Sequence, residues 1–288
     1  MKHLTMPLRP ATVYTPDSPL RHPMALLRAL FRDLLASREL AWRLFVRDLS
    51  AQYRQTFLGY VWAFLPPLAA SVTFIFLESQ GIVQVDATPV PYAAFAMMGT
   101  LLWQVFVDAI QSPCAAVQRG RPMLGKINFP REAILLAGLY TVVFNFFIRL
   151  ILLAGVMAVW RVTPGTGLLM FPVAMLGLLA CGFAVGLFLL PIGSLYGDVV
   201  RSIPIVAQFW MLLTPVVYPP RTQGLAGWLA TWNPIAPVLT TAREALSGMP
   251  FSLLPEFFAI STTAAVLCLL GLLAYRLVMP LLIERIGT

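Results

Sequence analysis

The residues that could carry covalent chemistry are few and poorly placed for it. The two histidines, His3 and His22, both lie near the N-terminus and provide no ligand set. Cys114, Cys181 and Cys268 have neither metal nor redox spacing, and two of them sit inside apolar runs, where they read as small buried hydrophobes. There is no paired-carboxylate or metal site of the kind a membrane glycosyltransferase would need. There is also no G-x-x-x-x-G-K-[ST] segment to cradle nucleotide phosphates. What remains is one arginine, Arg149, inside an otherwise apolar run, and a file of arginines directly in front of the first apolar stretch. These residue types bind and transmit force; they do not catalyse.

The elements that hold them are set by composition. The 288 residues are 59% hydrophobic and 11% charged, against about 45–50% and about 25% in soluble domains. This is the composition of an all-α integral membrane protein. The net charge of +8 would suit nucleic acid, but the basic residues fall where cytoplasmic loops carry them, so no nucleic-acid partner is expected. Six apolar segments, at about 57–79, 87–110, 133–160, 168–190, 203–219 and 257–279, each approach the length of about 20 residues that crosses a bilayer. With the N-terminus in the cytoplasm, sixteen of the 20 lysines and arginines fall on the inner side. Only Arg161, Arg221 and Arg243 fall outside, and the asymmetry places both termini in the cytoplasm.

Residues 1–23 form a polar, proline-rich tail with no apolar core, so no cleavable signal peptide is expected. Residues 24–56 are amphipathic, and residues 57–288 are the six-span domain. Leu27, Leu30, Phe31, Leu34 and Leu35 recur at helical spacing over 24–36. Over 38–55, Trp42, Phe45, Val46, Leu49 and Tyr53 share one face beside a stripe of Arg43, Arg47 and Arg54. Such a helix either sinks its apolar face into the headgroup boundary or docks a cytosolic partner. Between spans five and six, residues 219–256 are too short for two more spans, yet apolar and broken by Gly and Pro. Two short re-entrant periplasmic helices are expected there, with Trp228 and Trp232 at headgroup depth.

Arg149 lies about 24 Å up the third span at 1.5 Å per residue. That height matches Glu78 at the end of span one better than Asp108, which falls near the inner boundary. A Glu78–Arg149 pair is expected, the alternative being that Arg149 snorkels to the outer headgroups. No acidic residue then sits at mid-depth, which disfavours an ion-coupled carrier. Energy must enter from a partner, through the helix at 38–55 or the loop at 111–132. In that loop Gly120, Pro122, Gly125 and Pro130 bound a short helix over 112–119 and a turn. Arg119, Arg121, Lys126 and Arg131 would meet acidic partner groups or lipid phosphates, and Glu132 could cap span three.

The stretch RDLSAQYRQTFLGYVWAFLPPL, residues 47–68, resembles the entry to the first span in permease subunits of polysaccharide-exporting ATP-binding-cassette transporters, which export O-antigen, capsule and teichoic acid chains. The resemblance is carried by Tyr53, Arg54, Leu58, Gly59, Tyr60, Trp62, Pro66 and Pro67. LGKINFPREAILLA is similar to that family's Phe-Pro-Arg-Glu turn at Phe129, Pro130, Arg131 and Glu132. LYGDVVRSIPIVAQFWMLLTPVVYP resembles its fifth span, with Gly197-Asp198-Val199 where Arg-Asp-Val is usual. WNPIAP, followed by Arg243-Glu244, completes the order.

The resemblance implies the membrane subunit of an ATP-driven exporter of lipid-linked polysaccharide, O-antigen type, in a bacterial inner membrane. Capsular or teichoic acid export, or a small drug or lipid exporter of the same architecture, is the alternative. It implies two copies of a cytosolic nucleotide-binding ATPase that hold ATP and Mg, no cofactor and no enzymatic activity on this chain, and a homodimer. The 111–132 loop would carry the coupling helix, with Arg43, Arg47, Arg54, Arg119, Arg121, Lys126, Arg131 and Glu132 as coupling residues. The path would form between two copies, chiefly from spans one and five. Tyr60, Trp62, Phe64, Phe209, Trp210 and Tyr218 would offer rings to sugar C–H faces, or else pack.

Overall fold

A computed structural model describes residues 23–53, 61, 65–81, 88–124, 129–219, 227 and 232–286. Among these every regular element is helical. In chain order they are α1 (Pro23–Ala36), α2 (Arg38–Tyr53), α3 (Leu65–Ser79), α4 (Tyr92–Leu124), α5 (Glu132–Val159), a 3-10 turn (Thr166–Met170), α6 (Phe171–Leu195), α7 (Gly197–Leu213), α8 (Ile235–Ser247) and α9 (Leu254–Ile286). Tyr92–Leu124, Glu132–Val159, Thr166–Leu195 and Leu254–Met279 are long and apolar enough to cross a membrane. At 15 and 17 residues, α3 and α7 reach about 22 and 26 Å, short of the roughly 30 Å hydrocarbon core.

Helix α4 is the axis of the molecule, and it packs against α3, α5, α6 and α7. Its length corrects two expectations. The second span, expected to end at 110, continues to Leu124, and residues 112–119 are its last turns, not a separate helix in a loop. An interior proline costs a helix about 3 kcal/mol, yet α4 runs through Pro113 and Pro122. Burial outweighs that cost: Ser112, Pro113, Cys114, Ala116, Val117 and Gly120 all lie inside, and Ala41, Leu44 and Phe45 of α2 join this part of the core.

Helix α6 approaches α4 through a G-x-x-x-G pair, Gly182 and Gly186. A Cβ at Gly182 would meet the Phe106 carbonyl at 2.6 Å, and one at Gly186 would strike the Ile110 carbonyl. Between membrane helices, where lipid is as apolar as any side chain, such close backbone approach is the main source of association. Helix α9 lies along α6 on the other side, where Gly177 faces Ser261 and Gly271 faces Leu187.

The two ends of the bundle differ. One holds α1, α2, the turn between α4 and α5, and the α6–α7 turn at Tyr196; we call it the basic end. The other holds α8 and the loops at 88–91 and 160–170. Helix α8 ends on Gly248, whose φ of 69° is left-handed, the conformation that glycine takes at no steric cost. Its backbone lies against Gly165, and a Cβ on Gly248 would come within 2.8 Å of the Gly165 nitrogen.

Candidate functional site

At the basic end, α2 does not lie free on a membrane surface. Ala41, Leu44 and Phe45 are buried, and the Phe45 ring contacts Tyr140 and Phe144 of α5 with centroids 6.2 and 5.9 Å apart. Trp42 and Val46, expected on the same face as Phe45, are exposed. The helix therefore has three sectors, one against α5, one apolar and outward, and one basic.

Three of the six arginines expected to meet a partner, Arg47, Arg119 and Arg121, bind groups of this chain. Arg47 and Arg119 converge on Asp48, at 2.7 and 3.2 Å, and so tie α2 to α4. Arg121 donates to the Ser194 carbonyl and Gln118 to that of Gly193, at 3.3 Å. Those acceptors are last-turn carbonyls of α6, which lack partners within their own helix and attract positive charge. Glu132 is buried and pairs with Arg276 of α9 at 3.5 Å, and Arg276 reaches Asp33 of α1 at 2.6 Å. The Tyr275 hydroxyl donates to the Arg131 carbonyl at 2.9 Å. Among the described residues Arg43 bonds only to Glu39, on its own helix, and it stays 74% exposed. Arg54 and Lys126 lie outside the described residues.

At mid-length, Arg149 pairs with Asp108 at 2.7 Å; the expected partner, Glu78, is exposed on the last turn of α3. The correction has a geometric cause. Asp108 stands sixteen residues before the end of α4 and Arg149 seventeen after the start of α5, about 24 and 26 Å from the basic end. Ending span two at 110 had put Asp108 at the boundary. Once α4 runs to Leu124, the two antiparallel helices bring both charges to one height, and an acidic residue does sit at mid-depth. Gln104 donates to Asp108 at 3.4 Å and Asn145 at 3.3 Å, each one helical turn from its charged neighbour.

The aromatic residues separate. Phe209 points outward and is 66% exposed. Trp210, one position along, turns inward, edge-on to Trp103 and Phe106 at 6.1 and 5.3 Å. It also borders an apolar cavity of about 430 Å³ beside Cys181, Val185 and Leu267. The Tyr218 hydroxyl donates to the Leu212 carbonyl at 3.0 Å, closing the end of α7. Tyr60, Trp62 and Phe64 lie outside the described residues.

At the far end, two side chains that the sequence had marked only as motif letters fasten the end of α7. Asn233 donates to Thr214 Oγ1 at 2.7 Å, while its Oδ1 accepts from Ile235 N at 3.1 Å and Trp210 Nε1 at 3.4 Å. Arg243 is buried; it donates to the carbonyls of Pro215 and Val216 at 3.0 and 2.6 Å and stacks 3.8 Å from the centre of Phe95. Gly99 leaves room for that contact, since a Cβ there would strike the Val216 carbonyl. Glu244 turns the other way and accepts from the Ser252 amide and hydroxyl at 3.1 and 2.5 Å, ahead of α9. The polar composition of Asn233-Pro234 and Arg243-Glu244 within an apolar connection was the legible signal. Trp232 is 73% exposed; Trp228 lies outside the described residues.

These features define a polytopic helical membrane protein whose polar side chains bind helices together. The ABC-2 type transporter family model matches residues 39–246, from α2 through α8, and the chain belongs to that family. It is 26% identical over 215 residues to the O-antigen export system permease protein RfbA of Myxococcus xanthus, covering 74% of this chain and 82% of that protein. It is 22% identical to the protein of the same name from Klebsiella pneumoniae, covering 69% and 76%. It is 23% identical to the polysialic acid transport protein KpsM of Escherichia coli, covering 70% and 79%.

Proposed function

We propose that this chain is the transmembrane subunit of an ATP-driven exporter that moves lipid-linked polysaccharide of the O-antigen type across the bacterial inner membrane, from the cytoplasmic to the outer side. The observation that carries the reading is the likeness to O-antigen export permeases over about three quarters of both chains. In this reading α3 and α7, with adjoining residues, are the first and fifth of six spans. The basic end faces the cytoplasm with both termini. Helix α8, at 13 residues too short to cross, dips into the outer interface.

ATP and Mg belong to two copies of a cytosolic ATPase subunit, and two copies of this chain enclose the path. The ATPase meets the exposed basic sector of α2 around Arg43 and the turn between α4 and α5. Helix α4 suits the transmission of force: it runs unbroken for 33 residues, about 50 Å, from that turn to the far end. Exposed Phe209, with Tyr60, Trp62, Phe64 and Tyr218, offers rings to sugar faces as the polymer slides; Trp210 instead packs against Trp103 and Phe106.

The likeness to polysialic acid transport proteins supports a second reading, capsular polymer export. One experiment tests both. The chain is purified in mild detergent with its candidate ATPase subunit and reconstituted in vesicles. An equimolar complex is expected, with ATP hydrolysis stimulated by a lipid-linked O-antigen glycan; stimulation by an acidic capsular polymer instead selects the second reading. Uphill transport by the chain alone overturns both.

A further inference from the structure

Between α6, α7 and α9 runs a hollow that the described residues do not fill. Its volume is about 430 Å³, and Val185, Leu189, Trp210, Ile235, Ile260 and Leu267 mark its extent. It follows α6 from Cys181 to Leu189 and α9 from Ile260 to Leu267, about 12 and about 10 Å of helix. A second hollow of about 160 Å³ shares Val185, Leu189 and Trp210 with it and continues along α7 to Val199 and Ser202. Both arise from the way α7 is seated. Only Ile203, Ala207 and Met211 of that helix are buried, a single stripe at intervals of four. Helices α7 and α9 both pack on α6 but scarcely touch each other.

Packed protein has few voids larger than a water molecule, so a hollow of this size calls for an occupant. Water suits it poorly, because a buried water needs about two to four polar partners. Among the described lining residues only Thr263 and Trp210 carry an oxygen or nitrogen in the side chain. The Thr263 hydroxyl donates to the Ala259 carbonyl at 2.8 Å, and Trp210 Nε1 donates to Asn233 at 3.4 Å. Apolar cavities of this kind stay dry and take up apolar ligands. The surrounding solvent is hydrocarbon: α6 and α9 both belong to segments long and apolar enough to cross a membrane. The rim residues Phe188, Thr263 and Leu267 are exposed to it.

We propose that this hollow seats an acyl chain of a bilayer phospholipid, lying along α6 between α7 and α9. The inference rests on the lining and on the two spans that carry it, and not on what the protein exports. The occupant follows from supply. Phospholipid surrounds the opening at all times and in excess, and a ligand in excess fills its site by mass action. The seated chain gives α7 the packing that α9 does not.

The test follows the lipid. The full chain is loaded in vesicles with a phospholipid that carries a photoreactive group in its acyl chain. It is then taken into mild detergent, washed until its phospholipid content no longer falls, and illuminated. Wild type is expected to keep phospholipid through the wash and to show adducts within 181–189 of α6 and 260–267 of α9. Phe147 and Ile151, on the outward face of α5, are expected to show none, because detergent replaces loosely held lipid. Ala264 is buried in the lining, and Ala264→Phe, which puts a ring into the hollow, is expected to lose most of the adducts. Stripping phospholipid should lower the melting temperature of wild type and adding it back should restore it, while Ala264→Phe responds to neither.

Wild type that keeps no phospholipid, or that carries adducts only elsewhere, overturns the proposal. So do unchanged adducts in folded Ala264→Phe and Val185→Phe. If both variants fail to fold, the adduct map of wild type and its melting response to phospholipid still decide. Dissociation of a dimer by Ala264→Phe with adducts unchanged gives the cleft to a second copy of the chain. Displacement of phospholipid, one for one, by a lipid-linked glycan gives it to the lipid of that substrate. Either result overturns the assignment to phospholipid.

Discussion

Asp108 and Arg149 meet at 2.7 Å because two antiparallel helices place them at the same height, one counted back from Leu124 and the other forward from Glu132. Asn145 and Gln104 complete the contact, so that each helix contributes a charged residue and an amide one turn away.

Breaking that pair from one side leaves an uncompensated charge inside the bundle, which costs about 3–5 kcal/mol. Arg149→Gln and Asp108→Asn should each lower thermal stability in detergent by that order. Asp108→Leu combined with Arg149→Leu should recover most of the loss, because it removes both charges. Glu78→Gln should change nothing in the same assay. Rescue of Arg149→Gln by a change at Glu78 would contradict the assignment.

The α4–α6 contact predicts opposite signs for the same substitution. At Gly186 a methyl group would overlap the Ile110 carbonyl, and overpacking costs about 1–3 kcal/mol. At Gly155 on α5 nothing lies within 4 Å of the new atom, and replacing a mid-helix glycine gains about 0.5–1 kcal/mol. Unfolding of the purified chain should therefore show Gly186→Ala destabilised and Gly155→Ala unchanged or stabilised.

Arg243 holds two carbonyls just beyond α7 and stacks on Phe95. Arg243→Met keeps much of the apolar stem but orphans both acceptors, at about 1–3 kcal/mol for a buried group left unpaired. Lysine is not equivalent, since it lacks the planar fork that reaches both oxygens and lies flat on the ring. Gly99→Ala should act on the same contact from the other side. A double variant should lose less than the two single losses combined, which a double-mutant cycle measures.

Asp48 offers the contrasting case. Its partners Arg47 and Arg119 are 47% and 41% exposed, so solvent and salt weaken the contact. Asp48→Asn should shift stability by no more than about 1 kcal/mol, less at high ionic strength. If the variant nonetheless uncouples ATP hydrolysis from export, the α2–α4 tie matters for transmission and not for folding.

The helical membrane class, the amphipathic pair before the first span and the family were legible in one dimension, because composition, charge asymmetry and short motifs need no third coordinate. The G-x-x-x-G of α6 could have been read in the same way. What only the tertiary structure decided was register and rotation. Gly120 and Pro122 read as the bounds of a short loop helix after a span ending at 110, and only the packing of residues 112–124 shows that α4 continues through them. That single extension moved Asp108 from a boundary to the middle and changed the partner of Arg149. Arg47, Arg119 and Arg121 look alike in sequence to a basic docking surface. Whether an arginine faces a partner or its own chain depends on which carboxylate or helix end lies opposite, and residues far apart in the chain supply those: Asp48 for Arg119, Ser194 for Arg121. Helix periodicity gives each residue an angle about its own axis, but the direction in which that angle points is fixed only when the neighbouring helices pack.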